Sequence, residues 1–278
     1  MTTGTLQTAW PRRVAIVGMG LIGGSLARAL RRARPEVELV GIDRRRGPLD
    51  RARAAGVLDR AAVRLDEGVA GADLVVLALP VSAILELLPR LPSLLPPSAV
   101  VTDTGSTKRC ICSAGARALG GRFVGGHPLA GSERSGFSAS RADLFEGRPW
   151  ALVPSPHGSN AEALGKVRSL LEEIGARVYA VDAARHDRVV AATSHVPQLL
   201  SWALADLLRS RTEVEGYPYT RLLGGGGEGW LRLAHSPQGL WWDILATNAD
   251  EVAQALAELQ QRLHKWEINL RALKLRRP

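Results

Sequence analysis

The chain has 278 residues, 46% hydrophobic and 23% charged, an ordinary composition for a soluble globular protein and long enough for two domains with their own cores. Its formal charge is +9, from 36 Lys and Arg against 27 Asp and Glu, with the cations scattered except for short Arg runs at 44–46 and 276–277. A nucleic-acid reader concentrates its cations on one helix or strip, so no nucleic-acid partner is expected; the excess reads as compositional bias that also helps attract an anionic substrate.

The two cysteines, Cys110 and Cys112, are too few for a disulfide framework and too close for a zinc site of CxxC type, so no metal is expected and a reducing, cytoplasmic setting fits. Residues 1–13 lack the apolar stretch of a signal peptide. The longest apolar run, 74–88, is interrupted by Pro80 and Glu86 and falls short of a membrane span.

In chain order, residues 13–18 (RVAIVG) have the apolar character of a buried parallel strand. They lead into Gly18-Met19-Gly20-Leu21-Ile22-Gly23 and an Ala/Leu/Arg helix pattern to about residue 34, followed by a second strand, 37–43, ending in Asp43. Strand, GxGxxG, helix and a carboxylate 20 residues after Gly23 together predict a dinucleotide site. Gly18 allows the tight turn, Gly20 the approach of a pyrophosphate, and Gly23 the packing of helix on strand. Leu21 and Ile22 open the helix whose free amides face the phosphates. Asp43 would accept hydrogen bonds from the adenosine ribose and repel a 2′-phosphate, which favours NAD. Arg44 to Arg46 follow at once and could hold that phosphate, so NADP stays open.

Further strands are expected at 73–80, 98–103 and 122–126, with helical segments between them, an alternating pattern that predicts a parallel, doubly wound Rossmann-like sheet. Ligands of such sheets bind at the carboxyl ends of the strands. Three features fall there: Pro80, which ends the third run beneath the dinucleotide; Asp103-Thr104-Gly105-Ser106-Thr107-Lys108, a helix entry rich in capping groups; and His127, in the block GGHPLAGSE (125–133). Gly125, Gly126 and Pro128 predict a turn that aims the His127 ring by backbone geometry, and Ser106 is expected either to act purely as a helix N-cap or also to hydrogen-bond that ring. Strands at 149–154 and 177–182 around a helix at 160–175 would close the far edge of the sheet. From residue 184 no strand signal remains. The expected organisation is a dinucleotide-binding domain, 1–183, and an all-helical domain, 184–278, with a helix from about 195 to 208, a Gly-rich loop at 224–229, and a long helical stretch from 238 to 273. Its apolar load, with Trp202, Trp241, Trp242 and Trp266, predicts burial against a second copy in a homodimer.

With these residues in view, the chain resembles the prephenate/arogenate dehydrogenase family of tyrosine biosynthesis over nearly its whole length. The resemblance rests on GMGLIGGS (18–25), VTDTGSTK (101–108), GGHPLAGSE (125–133), TSHVPQ (193–198) and RLAHSPQGLWWDI (232–244), in that order. It implies an NAD(P)-dependent oxidative decarboxylation of prephenate, or of arogenate in a dehydrogenase of that or dual specificity. It also implies that His127 is the catalytic histidine, Ser106 its orienting serine and Arg232 the arginine that binds substrate. Glu133, His195 and Ser236 would be pocket groups and Trp241 an aromatic wall. Where the family shows Phe-Arg-Asp, this chain has Gly227-Glu228-Gly229, so a charge near the arginine is missing or moved to Glu228. Two other classes differ in their requirements. A β-hydroxy-acid dehydrogenase of the same build would need a catalytic lysine, for which the second domain offers only Lys265 and Lys274; a non-catalytic dinucleotide sensor would need neither His127 with Ser106 nor Arg232.

Overall fold

The structure, a computed structural model, describes residues 10–132, 134–155, 160–236 and 238–275. The chain divides into two compact units, one ending at His186 and the other beginning at Asp187.

The first unit alternates strands and helices: β1 (Arg13–Val17), α1 (Leu21–Ala33), β2 (Glu38–Ile42), α2 (Arg46–Ala54), β3 (Arg60–Ala62), α3 (Leu65–Val69), β4 (Leu74–Leu77), α4 (Val81–Leu87), β5 (Val100–Asp103), α5 (Arg109–Leu119), β6 (Phe123–Pro128), β7 (Pro149–Pro154), α6 (Ala161–Glu173) and β8 (Arg177–Ala180). The strands form one sheet in the order β3-β2-β1-β4-β5-β6-β7-β8. The order reverses at β1, which pairs in parallel with both β2 and β4, and this makes the switch point at which such sheets bind ligands. Successive side chains of β1 go to opposite faces. Val14 and Ile16 pack in a core with Leu26 and Leu30 of α1 and Leu170 of α6, and Ala15 and Val17 in a second core with Ile84 of α4 and Ile111 of α5. Covering both faces in this way is what a strand apolar from Val14 to Val17 requires. Each Val, Leu or Ile side chain so buried contributes about 1.5–3 kcal/mol.

The sheet departs from the sequence reading at two places. β3 is an extra edge strand whose Arg60-Ala61-Ala62 carries no apolar alternation; its pairing with β2 holds it there. β7 runs antiparallel to β6, so the sheet is mostly rather than wholly parallel.

The helical part begins with α7 (Ala183–Val190), which contains the boundary between the units, and continues through a π turn, Ala191–His195, into α8 (Val196–Glu215). The helix therefore starts well before residue 195. Pro197 has no N–H to give the preceding turn and its ring crowds the carbonyl there, which accounts for the wider turn just upstream. α8 continues past 208 to Gly216, whose φ of +67° ends it. α9 (Gly225–Ala234) occupies the stretch expected to be a Gly-rich loop. Its four glycines weaken a helix in isolation, and tertiary packing overrides that propensity: Gln198 Nε2 of α8 donates to the carbonyl of Leu233 at 2.9 Å. The last stretch is two helices, α10 (Gln238–Thr247) and α11 (Ala249–Leu275), separated at Asn248. Among the described residues no helix is long and apolar enough to cross a membrane.

Candidate active site

Three glycines of the β1–α1 turn meet three different surroundings. Gly18 has φ +98°, and a Cβ there would lie 2.2 Å from the Ala78 carbonyl oxygen. A Cβ on Gly23 would lie 1.9 Å from the carbonyl oxygen of Gly18, so helix and turn touch backbone to backbone. Gly20, at the N-cap of α1, would meet nothing within 4 Å. Of the three, only Gly20 leaves open space in front of the helix N-terminus, and Leu21 and Ile22 begin the helix behind it. This is the arrangement a pyrophosphate needs.

A cavity of about 700 Å³ adjoins the turn, lined among others by Gly18, Asp43, Arg44, Leu79 and Pro80. Pro80 is the residue before α4, where it fixes φ at the helix entry. Asp43 follows β2; its Oδ2 accepts the Met19 N–H at 3.1 Å and its Oδ1 the Arg45 N–H at 2.9 Å. Each oxygen keeps a lone pair, so the carboxylate is oriented and still able to accept from a ribose. The chain's own residues therefore fit a dinucleotide.

His127 is the fifth residue of β6 and Gly125 and Gly126 are its third and fourth, so the strand expected to end at Gly126 runs on through His127 to Pro128, where a turn was expected. Neither glycine has positive φ among the described residues. They are needed for space: a Cβ on Gly125 would lie 2.6 Å from Cys112 Sγ and one on Gly126 2.5 Å from the Asp103 carbonyl oxygen. The close approach is locked by the Asp103 carboxylate, which is fully buried at the end of β5. It accepts the N–H of Gly126 at 3.0 Å and of Gly105 at 2.8 Å, and pairs with the equally buried Lys108. Paired and hydrogen-bonded charges are the form in which a fully buried ion pair is tolerated. The pair fixes the loop carrying Ser106 against the strand carrying His127.

The bond at Nδ1 of His127 is made by His186, whose Nε2 lies 2.9 Å away, and not by Ser106. Ser106 is half-buried on the loop after β5, and the residue capping α5 is Lys108. Glu133 lies outside the described residues.

The other residues expected to bind substrate belong to the second unit. His195 closes the π turn, is buried, and has its Nδ1 3.3 Å from Nδ2 of Asn248. Asn248 also donates to the Asp187 carbonyl at 2.8 Å. Trp241 stands edge-on to His195 with ring centroids 6.0 Å apart and edge-on to Trp202. Arg232 is exposed in the last turn of α9, where the helix dipole favours a cation, and Ser236 follows that helix with its N–H on the Leu233 carbonyl. Glu228 is in the first turn of the same helix, where the dipole favours an anion. Lys265 is exposed on α11.

From the sequence, Asp103 and Lys108 stood only as ends of a helix entry rich in capping groups and not as an ion pair, and His186, Gln198 and Asn248 were not singled out. The first two stand in the VTDTGSTK block, where a carboxylate ending a strand and a lysine five residues on were a usable signal. His186 carried none, since its partner lies 59 residues away.

Residues 26–180 match the family model of the prephenate dehydrogenase nucleotide-binding domain, and residues 182–273 that of the prephenate dehydrogenase dimerization domain. The chain belongs to the prephenate dehydrogenase family. Among relatives, it is 33% identical to the cyclohexadienyl dehydrogenase of Zymomonas mobilis over 88% of this chain and 84% of that one. With the prephenate dehydrogenase of Lactococcus lactis it shares 32% over 93% and 71%. A crystal structure of prephenate dehydrogenase from Aquifex aeolicus, in complex with hydroxyphenyl propionate and NAD+, superposes with TM-score 0.89 at 31% identity, over 96% of this chain and 94% of that one. The Synechocystis arogenate dehydrogenase does so with 0.80 at 28%, over 94% and 93%. A 3-hydroxyisobutyrate dehydrogenase from Salmonella typhimurium, 17% identical with TM-score 0.62 over 88% of each chain, shares the fold alone. These matches give the non-catalytic sensor no better support, and the two family models together span the sheet and the helical part of this chain.

Proposed function

We propose that the chain catalyses the NAD-dependent oxidative decarboxylation of prephenate to 4-hydroxyphenylpyruvate. The observation that carries this is the presentation of His127 on β6 of the same sheet whose β1–α1 turn is shaped for a dinucleotide, in a chain of this family. Bound at that turn, NAD supplies the acceptor for the hydride that leaves the carbinol carbon of the cyclohexadienol. His127 takes the hydroxyl proton at Nε2, a general-base contribution of about 10²–10⁴-fold. Arg232 is the group to pair with the ring carboxylate through its planar fork, and Glu133, His195, Ser236 and Trp241 are the further groups that the family resemblance assigns to substrate binding. Loss of carbon dioxide returns the electrons of the broken C–C bond to the ring, and aromatisation drives the reaction forward.

The oriented Asp43 carboxylate supports NAD over NADP, as does the NAD+ in the Aquifex aeolicus relative. Arg44 lines the same cavity and is the residue that would admit a 2′-phosphate. Arogenate is the second reading of the substrate, favoured by the likeness to the Synechocystis enzyme. The working form is a cytoplasmic homodimer, supported by the dimerization-domain match and by the apolar side chains exposed on α8, α10 and α11. A steady-state comparison of prephenate and arogenate, each with NAD and NADP, tests the reading on one purified sample. Turnover fastest with prephenate and NAD is the expected result; NAD binding with no turnover of either substrate would overturn it.

A further inference from the structure

His186 touches the proposed base, and nothing in the mechanism so far uses it. It sits on α7 with only 3% of its surface exposed, and its Nε2 lies 2.9 Å from Nδ1 of His127, the rings edge-on at 67° with centroids 5.1 Å apart. Its helix is anchored at the start by Asp182, whose Oδ1 accepts the Arg185 N–H at 2.8 Å.

Two neutral imidazoles that share a hydrogen bond must divide the roles, one nitrogen donating and the other accepting. A histidine can take a proton from substrate at Nε2 only if that nitrogen holds a lone pair, which puts its own proton on Nδ1. The partner at Nδ1 must then be an acceptor. We propose that His186, as a neutral ring accepting at Nε2, holds His127 in the tautomer that carries the lone pair of a base on Nε2. This makes His186 a positioning residue: it does not touch substrate, and it acts through the ring it orients. When His127 takes the substrate proton at Nε2, its Nδ1–H remains on His186, and no second proton moves. Where an aspartate in this role would stabilise the imidazolium by its charge, His186 offers only a lone pair, so the ring returns its proton more readily once product has left. The inference rests on His127 being the base, and the test separates the two.

Imidazole ¹⁵N resonances of the intact, unsubstituted enzyme should show His127 with its proton on Nδ1, and this measurement needs no variant to fold. In His186→Leu the same ring should show protonation at Nε2, and kcat should fall by roughly 10²-fold with KM for both substrates within about threefold. His186→Gln, whose amide oxygen reaches about as far as Nε2, should recover kcat to within about tenfold of the parent. His186→Leu should cost nothing further in a His127→Asn background. A His127 ring protonated at Nε2 in the parent enzyme overturns the proposal, as does Gln no better than Leu, or a multiplicative loss in the double variant, which would mark a purely structural role. A His127→Asn enzyme with near-normal kcat would instead remove His127 as base, and any part for His186 in turnover would fall with it.

Discussion

Asp43 is held from two sides by backbone amides, so its charge is presented at a fixed place at the end of β2. Replacing it with Ser removes the repulsion of a 2′-phosphate while Arg44 and Arg45 remain beside it. The ratio of kcat/KM with NADP to that with NAD should rise by about tenfold or more, equivalent to about 1.4 kcal/mol. An unchanged ratio would mean that this strand end does not read the ribose. Arg232 makes a different kind of contribution, because a carboxylate is present in the ground state as well as the transition state. Arg232→Ala should therefore raise KM by an amount corresponding to about 1.5–3 kcal/mol, the usual range for a hydrogen bond to a charged group, with a smaller effect on kcat. Lys at the same position should recover part of the loss, since it brings the charge without the fork. Steady-state kinetics of the three proteins decide the matter.

At the level of the element, two glycine-bearing segments serve opposite needs. Gly126 is enclosed by β5, and Gly126→Ala would force its Cβ against the Asp103 carbonyl oxygen, so the urea midpoint should fall by the equivalent of about 1–3 kcal/mol. Gly20 faces open space, and Gly20→Ala should leave that midpoint nearly unchanged while weakening NAD binding measured by calorimetry. Loss of stability in the second variant and not the first would reverse the roles given to the two segments. α7 carries a pH-dependent start. The amide of Arg185 holds the Asp182 carboxyl below the usual range, so the ionised form is favoured by folding. A depressed folded pKa contributes stability above the unfolded value, and that contribution disappears as pH falls through the folded value. The stability gap between the parent and Asp182→Ala should thus be open at neutral pH and close on acidification, as followed by thermal melts at each pH.

The whole molecule leaves a quantity of apolar surface that a lone chain does not need. Leu204 and Leu207 on α8, Trp242 on α10, and Leu263, Trp266, Ile268, Leu270 and Leu273 on α11 are all exposed. Rows of such side chains on several helices mark an association surface rather than ordinary scattered exposure. Light scattering at micromolar concentration should return a mass near twice 29.8 kDa, and Leu263→Glu with Trp266→Glu should lower it toward the single-chain value. A parent protein that already scatters as one chain would remove the dimer.

Sequence alone determined the parts governed by short-range rules. An apolar run, a glycine-spaced turn and an amphipathic helix follow one another within some thirty residues, and so the β1–α1 turn, Asp43 and the alternation of strand and helix were legible from residue order. Tertiary structure decided what depends on partners far along the chain. The antiparallel β7, the short polar β3 and the helix at Gly225–Ala234 owe their form to neighbours that outweigh local propensity. Gly125 and Gly126 looked like turn residues because glycine is the usual means of turning. In the fold they are there because Cys112 and Asp103 leave no room for a Cβ. The partner of His127 was hidden for the same reason: a hydrogen bond between residues 59 apart leaves no period or spacing, and only the packing of α7 beside β6 brings the two rings within reach.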